Sequence, residues 1–198
     1  KSYDPGSYST GIMVINNRTF ISGIDISMDY MPELQNSFIA EVNKHGQVIN
    51  QKKYVSGYSS YSSLFKGKDS SLLLYGSIAD SAYYPSVFLA KIDTGLNVTW
   101  MKSLRLTTTP QYAGSLKTGE VKQGSDGSYF ILYSDGVPFG ETRVYLTKLD
   151  GNGDFLWSKI YRASDPGYAN SIAGRKLEIF GGNVYITCVN AYNAYSAT

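Results

Sequence analysis

Cysteine and histidine are nearly missing from this 198-residue chain, which holds one of each, Cys188 and His45. A single cysteine allows no internal disulfide framework, and a single histidine allows no histidine-clustered metal centre. Cys188 sits in the apolar run Val184-Tyr185-Ile186-Thr187-Cys188-Val189, whose alternation predicts a buried strand thiol without chemistry of its own. Charge is scarce as well: 17% of residues are charged, the net charge is +2, and no basic run is available to follow a phosphate backbone. Nucleic acid is therefore not an expected partner. Long apolar runs are also lacking, since stretches such as Ser71 to Tyr75 and Tyr129 to Tyr133 are strand-length, against the roughly 20 residues of a membrane helix. No membrane insertion is expected. The opening residues Lys1-Ser2-Tyr3 bring no initiator Met, basic n-region or h-region, which says nothing about destination.

Catalytic signatures are absent too. There is no Gly-x-Ser-x-Gly elbow and no Gly-x-Gly-x-x-Gly loop opening a helix. Paired carboxylates for sugar hydrolysis would have to come from Asp80, Asp126 or Asp135, which read as ordinary turn residues, and His45 reads as an exposed turn residue beside Lys44. The turn Asp150-Gly151-Asn152-Gly153-Asp154 opens like a calcium loop, but Phe155 replaces the sharp-turn glycine and Tyr161 the closing glutamate, so a plain hairpin turn is expected. The expectation is no enzyme activity, no metal and no cofactor.

What the chain does have is tyrosine, 18 residues of it, with 8 Phe, 2 Trp and 20 Gly. That balance suits pleated, half-buried surfaces and predicts an all-β protein. A repeat organises it. Phe38 to Asn50, Phe88 to Trp100 and Tyr145 to Trp157 align without gaps, each reading as strand, Gly-containing polar turn and strand. A lysine follows two residues after each block, at Lys52, Lys102 and Lys159, and each leads into a Tyr-containing segment. A second hairpin precedes each block, with turns at Asn16-Asn17, Lys68-Asp69-Ser70, Ser125-Asp126-Gly127 and Gly181-Gly182-Asn183.

Four strands per period make the fold class all-β: a β-propeller of about 3.5 to 4 four-stranded antiparallel blades. The periods run 1–51, 52–101, 102–158 and an incomplete 159–198 within one propeller segment. Both ends fall inside a blade in this count, so the partial ring is expected to be completed by further sequence of the same polypeptide or by another chain. Phe38, Phe88, Trp100, Tyr145 and Trp157 are the expected blade-packing aromatics. Asn17 and Asn97 head the sequons Asn17-Arg18-Thr19 and Asn97-Val98-Thr99 on turns, making them candidate N-glycosylation sites. Tyr-rich stretches at Tyr54 to Tyr61, Tyr83-Tyr84 and Tyr192 to Tyr195 are candidate contact loops.

The pattern aromatic-Leu-x-Lys-Leu followed by Asp-x-x-Gly-x-x-x-Trp, clearest in Tyr145 to Trp157 and Phe88 to Trp100, resembles repeats of secreted bacterial β-propeller proteins, including large surface proteins of gliding bacteria. Repeats of protist surface proteins are similar. The first copy departs, with Asn50 at the Trp position and Glu41 at the Lys position. The resemblance implies an extracellular or cell-surface module, structural or adhesive, contacting other protein chains or glycans and suited to a fibre or surface assembly. A second implied reading is the non-catalytic part of a secreted polysaccharide-active propeller enzyme.

Overall fold

The structure, a computed structural model, describes residues 7–26, 35–57, 61–79, 85–105, 116–135, 143–162 and 171–191. All fourteen described elements are strands. β1 (Ser7–Ile15), β2 (Arg18–Ile26), β3 (Gln35–Val42) and β4 (Val48–Gly57) pair in chain order as one antiparallel sheet. β5 (Tyr61–Lys66), β6 (Leu72–Ala79), β7 (Pro85–Ile92) and β8 (Val98–Arg105) form the second. The third is β9 (Leu116–Gln123), β10 (Tyr129–Asp135), β11 (Arg143–Leu149) and β12 (Phe155–Arg162), and β13 (Ser171–Phe180) pairs with β14 (Asn183–Ala191) as a two-stranded hairpin. Sequential antiparallel sheets of this order are propeller blades. The lysine-phased periods 1–51, 52–101 and 102–158 end within β4, β8 and β12, so sequence period and sheet are offset by part of a strand.

Turn chemistry sets these strands. Asn16 and Asn17, at φ 49° and 60°, and Gly181 and Gly182, at φ 56° and 79°, make two-residue turns in which both central residues are left-handed. Such turns match the strand twist and favour Asn and Gly. Longer turns are held by a carboxyl or carboxamide, at the head in those of Asn43, Asp93 and Asp150 and in mid-turn at Asp69 and Asp126. Asn43 Oδ1 accepts from the backbone N–H of His45 and Gln47, and Asp150 Oδ1 accepts from those of Asn152 and Asp154. Asp150 is thus occupied as a turn former. Gly46, Gly127 and Gly153 take the left-handed position in three of these loops, but Ser70 and Leu96 fill it in the other two, at φ 62° and 65°. The left-handed residue of the Asp93–Asn97 turn is therefore Leu96 and not Gly95.

The chain divides into two compact units, Lys1–Ala113 and Gly114–Thr198. In the first, Ile15, Phe20 and Ile39 of one blade pack against Leu64, Leu74 and Phe88 of the next. In the second, Phe130, Leu132, Val144 and Leu146 pack against Leu177 of the hairpin, with Ile179, Val184 and Ile186 partly covered. Each such Leu or Phe removed from water stabilises by roughly 1.5–3 kcal/mol. Both faces of β10 are buried along its length, and it reads as an apolar run from Tyr129 to Tyr133 closed by the buried polar pair Ser134-Asp135.

Glycine lets first strands approach closely. A Cβ on Gly11 would lie 3.4 Å from the backbone nitrogen of Leu64, and one on Gly119 would lie 2.9 Å from the Leu132 carbonyl oxygen and 3.2 Å from that of Gly174. Side-chain hydroxyls stitch the same seams. Ser62 Oγ donates to the Gly23 carbonyl at 3.4 Å, and Gly174 N–H donates to Ser134 Oγ at 2.9 Å. Cys188 faces the core cluster from β14 but is only half-buried, because no described strand covers the far edge of β14. Partial burial pushes its thiol pKa up.

Candidate functional site

Three of the expected packing aromatics, Phe38, Phe88 and Tyr145, are buried. Trp100 and Trp157 are half-buried, and Trp157 meets Phe130 edge-on at 6.1 Å with Lys159 Nζ 5.5 Å from its ring. His45 is exposed. Asn17 is exposed on its tight turn. Asn97 is exposed too, yet its carboxamide is engaged: Oδ1 accepts from Lys52 Nζ at 2.8 Å and Nδ2 donates to Asp93 Oδ2 at 3.2 Å. The backbone N–H of Asn97 and then its side chain hold the Asp93 carboxyl below its ordinary range. One strand position beyond Lys52 and its neighbour, Tyr54 donates its phenol to the Leu96 carbonyl at 3.1 Å. Burial, with the Asp93 charge second, raises the Tyr54 pKa strongly. The fourth strand of one blade therefore grips the last turn of the next.

A second set of contacts was hidden in the repeat. Lys91 pairs with Asp69 at 2.7 Å, and Lys148 pairs with Asp126 at 3.0 Å, tying a third strand to the first turn of its own blade. Glu41 holds the equivalent position in the first blade. It is met by Arg18, whose Nε and Nη2 donate to its two oxygens at 2.7 Å each. The signs are reversed, and Arg18 stands at the register position of Ser71 and Ser128 rather than of Asp69 and Asp126, yet a clasp on the third strand persists. Arg18 draws the Glu41 pKa down, chiefly by hydrogen bonding against the opposing effect of burial. The signal was available as covariation inside the chain, because Glu41 and Arg18 depart from the pattern together.

The most concentrated polar group stands at the end of β10 and the start of β11. Asp135 is not a turn residue but a strand residue 1% exposed, registered opposite Arg143. Its Oδ1 accepts from the Arg143 backbone N–H at 2.7 Å, and its Oδ2 accepts from Arg143 Nε at 2.8 Å and Tyr145 OH at 2.9 Å. Tyr145 stacks on Tyr133 at 4.9 Å between centroids and 9° between planes, and Arg143 lies 5.8 Å from the Tyr145 ring. Tyr133 OH bonds Thr147 Oγ1 at 3.0 Å, which bonds Ser158 Oγ at 2.9 Å. Burial first, then the Asp135 bond, raises the Tyr145 pKa strongly, so its phenol is neutral at physiological pH. With its carboxylate committed on both oxygens, Asp135 fixes the partly exposed Arg143 over two buried, stacked rings at the end of the blade.

Among the described residues, no group of His, Cys, Asp or Glu is placed to hold a metal ion, and no helix is long and apolar enough to cross a membrane. Asp80, Tyr83-Tyr84 and Tyr192 to Tyr195 lie outside the described residues.

No protein-family model matches the sequence, and no curated protein matches it. Solved structures do. A neuraminidase-like protein from A/bat/Guatemala/164/2009 is similar at 13% identity and TM-score 0.54, over 90% of this chain and 53% of that one. A neuraminidase-like protein of A/little yellow-shouldered bat/Guatemala/060/2010 is similar at 14% identity and TM-score 0.52, over 93% of this chain and 60% of that one. The chain thus spans little more than half the length of the proteins it matches. At such identity the likeness concerns fold alone, and with the sheet topology it makes this an all-β fold of the propeller type.

Proposed function

We propose that the chain is a structural or adhesive propeller module of an extracellular or cell-surface protein, presenting loops to other protein chains and to glycans. One observation carries the reading: Glu41, Asp69, Asp126 and Asp135, carboxylates in three blades, are each tied to a cation of their own blade. Carboxylates tied this way hold loops in place and leave recognition to side chains around them. The likeness of the repeat to those of secreted bacterial surface proteins supports the location. The sequons at Asn17 and Asn97 agree with a secretory route, Asn17 being the acceptor whose side chain is exposed on a tight turn.

A glycan array and a polysaccharide-hydrolysis screen, run on the same preparation with an Asp135→Asn variant alongside, test the proposal. Binding without turnover is the expected outcome. Turnover that is lost in Asp135→Asn while the fold is retained would overturn it in favour of a polysaccharide-active enzyme.

A further inference from the structure

The hairpins β1–β2 and β13–β14 share one geometry. They turn on Asn16-Asn17 and on Gly181-Gly182, and each first strand carries a bulge at the same distance from its turn, between Ser9 and Gly11 and between Gly174 and Lys176. Positions therefore correspond one to one: Ile12 with Leu177, Ile15 with Phe180, Phe20 with Tyr185 and Ile24 with Val189. The two hairpins bury opposite faces. Leu177 is buried against Phe130, Leu132, Val144 and Leu146 of the preceding blade, whereas Ile12 is 70% exposed and Val14, two residues along the same face, is exposed as well. Ile15 and Phe20 are buried with Leu64 of the following blade and Ile24 is buried too, whereas Phe180 is 78% exposed, Tyr185 55% and Val189 46%.

Register singles out Ile12 as sharply as exposure does. It stands opposite Ile21, as Leu64 stands opposite Leu74, Val121 opposite Ile131 and Leu177 opposite Ile186. Those other three are all buried. Leu64 and Leu177 enter apolar clusters built by the blade before their own, so this position is the inserting side of a blade junction. The positions of Ile15, Phe20 and Ile24 are the receiving side. The chain thus carries a bare inserting face on β1 and a bare receiving face on β13–β14, each being the half that the other lacks. Exposed apolar patches of this kind mark interaction sites.

We propose that the β1 face of one copy of the chain docks on the β13–β14 face of a second copy, Ile12 packing beside Tyr185 as Leu64 packs with Phe20. Different patches meet, so the contact is heterologous and builds rings or open filaments rather than a two-fold dimer. In the first blade β3 adds Ile39 to the receiving face, and no described strand does so beside β14. The contact between copies is therefore smaller than the internal junction, and it is reversible. It does not depend on what the loops bind, so the glycan array and the assembly test fail separately.

Sedimentation equilibrium over a concentration series tests this, with Ile12→Lys and Tyr185→Lys variants alongside. Wild type should associate reversibly, and more tightly in ammonium sulfate, because apolar faces are being buried. Either variant loses the burial of one large apolar side chain and should raise the dissociation constant about tenfold or more. An equimolar mixture of the two variants should then form a one-to-one complex and stop there, since the Ile12→Lys copy keeps the receiving face and the Tyr185→Lys copy keeps the inserting one. Both side chains are exposed, so urea melts of the variants should match that of wild type. Monomers at every concentration of wild type, undiminished association of a folded variant, or a mixture of folded variants that stays monomeric would overturn the proposal.

Discussion

Removing Arg18 offers a direct measurement of the reversed clasp. The Glu41 side chain is 11% exposed and the Arg18 side chain 37% exposed, so one partner is nearly dry and the other reaches water. Arg18→Ala deletes two charge-assisted hydrogen bonds and leaves a largely buried carboxylate without its cation, which in a fully buried pair costs about 3–5 kcal/mol. Solvent at the arginine end lowers that, and about 2 kcal/mol is expected for this pair. Arg18 also lies 5.2 Å from the Phe20 ring, so part of the loss is unrelated to charge. A double-mutant cycle with Glu41→Gln, read by urea unfolding, separates the two and should give a coupling of about 1 kcal/mol or more. The Glu41 pKa is lower in the folded protein than its ordinary 4.5, so the folded state binds fewer protons there. Its contribution is complete above that value and is lost as the pH falls through the folded pKa. The gap between wild type and Arg18→Ala should therefore close below about pH 4. Arg18→Glu with Glu41→Arg should recover stability that each single change loses. A coupling near zero, or a gap independent of pH, would refute the clasp.

Three further outcomes follow from other contacts. Gly119→Ala sets a methyl 2.9 Å from the Leu132 carbonyl oxygen and 3.2 Å from that of Gly174, both backbone, and should cost about 1–3 kcal/mol by thermal melt, whereas Gly46→Ala meets no neighbour within 4 Å and is expected to cost only left-handed strain. Asp135→Asn removes the charge from a residue 1% exposed that orders Arg143 and Tyr145, and should destabilise by about 2–4 kcal/mol while loosening the Tyr133–Tyr145 stack, visible in near-ultraviolet circular dichroism. Asp69 is drawn down from 3.8 to about 2, first by Lys91 and then by Ser71, so its contribution is present above about pH 4 and lost towards pH 2. Because the Asp69 side chain is 52% exposed, the advantage of wild type over Lys91→Met should be small and should shrink with added salt.

Strand number, strand order and turn positions were legible because the repeat states them three times, and because Asn, Asp and Gly mark turns for reasons of backbone geometry. The phase was less so. A lysine at the end of each block attracts the alignment, yet Lys52 lies in the middle of β4, and its partner Asn97 is 45 residues further on in another blade. Leu96 in a left-handed turn was not legible at all, since a residue with a Cβ pays about 1–2 kcal/mol there. Full burial of its side chain offsets that cost, and burial by a neighbouring blade is a property of the fold and not of the turn. Asp135 was hidden for a related reason. Its distinction from other aspartates lies in Arg143 and Tyr145, which reach it by register across β10 and β11, and register is invisible in a single strand's composition.

The third-strand lysines Lys91 and Lys148 and the fourth-strand Lys52 have different work. Lys91 and Lys148, on third strands, close an ion pair within their own blade, and Glu41 at the same position closes one of opposite sign with Arg18, two residues along from the place of the aspartates. Lys52, on a fourth strand, meets a neutral carboxamide on the next blade, and Tyr54 beside it meets a backbone carbonyl there. A backbone acceptor cannot mutate away, which frees the turn to vary at every position except its shape. Shape is what Asp93 secures, by binding the Asn97 N–H at 2.7 Å. Within a blade, then, charge can drift as long as it drifts in pairs. Between the first two blades, the constraint falls on turn geometry, and Asp93 at the head of the gripped loop is the residue that satisfies it.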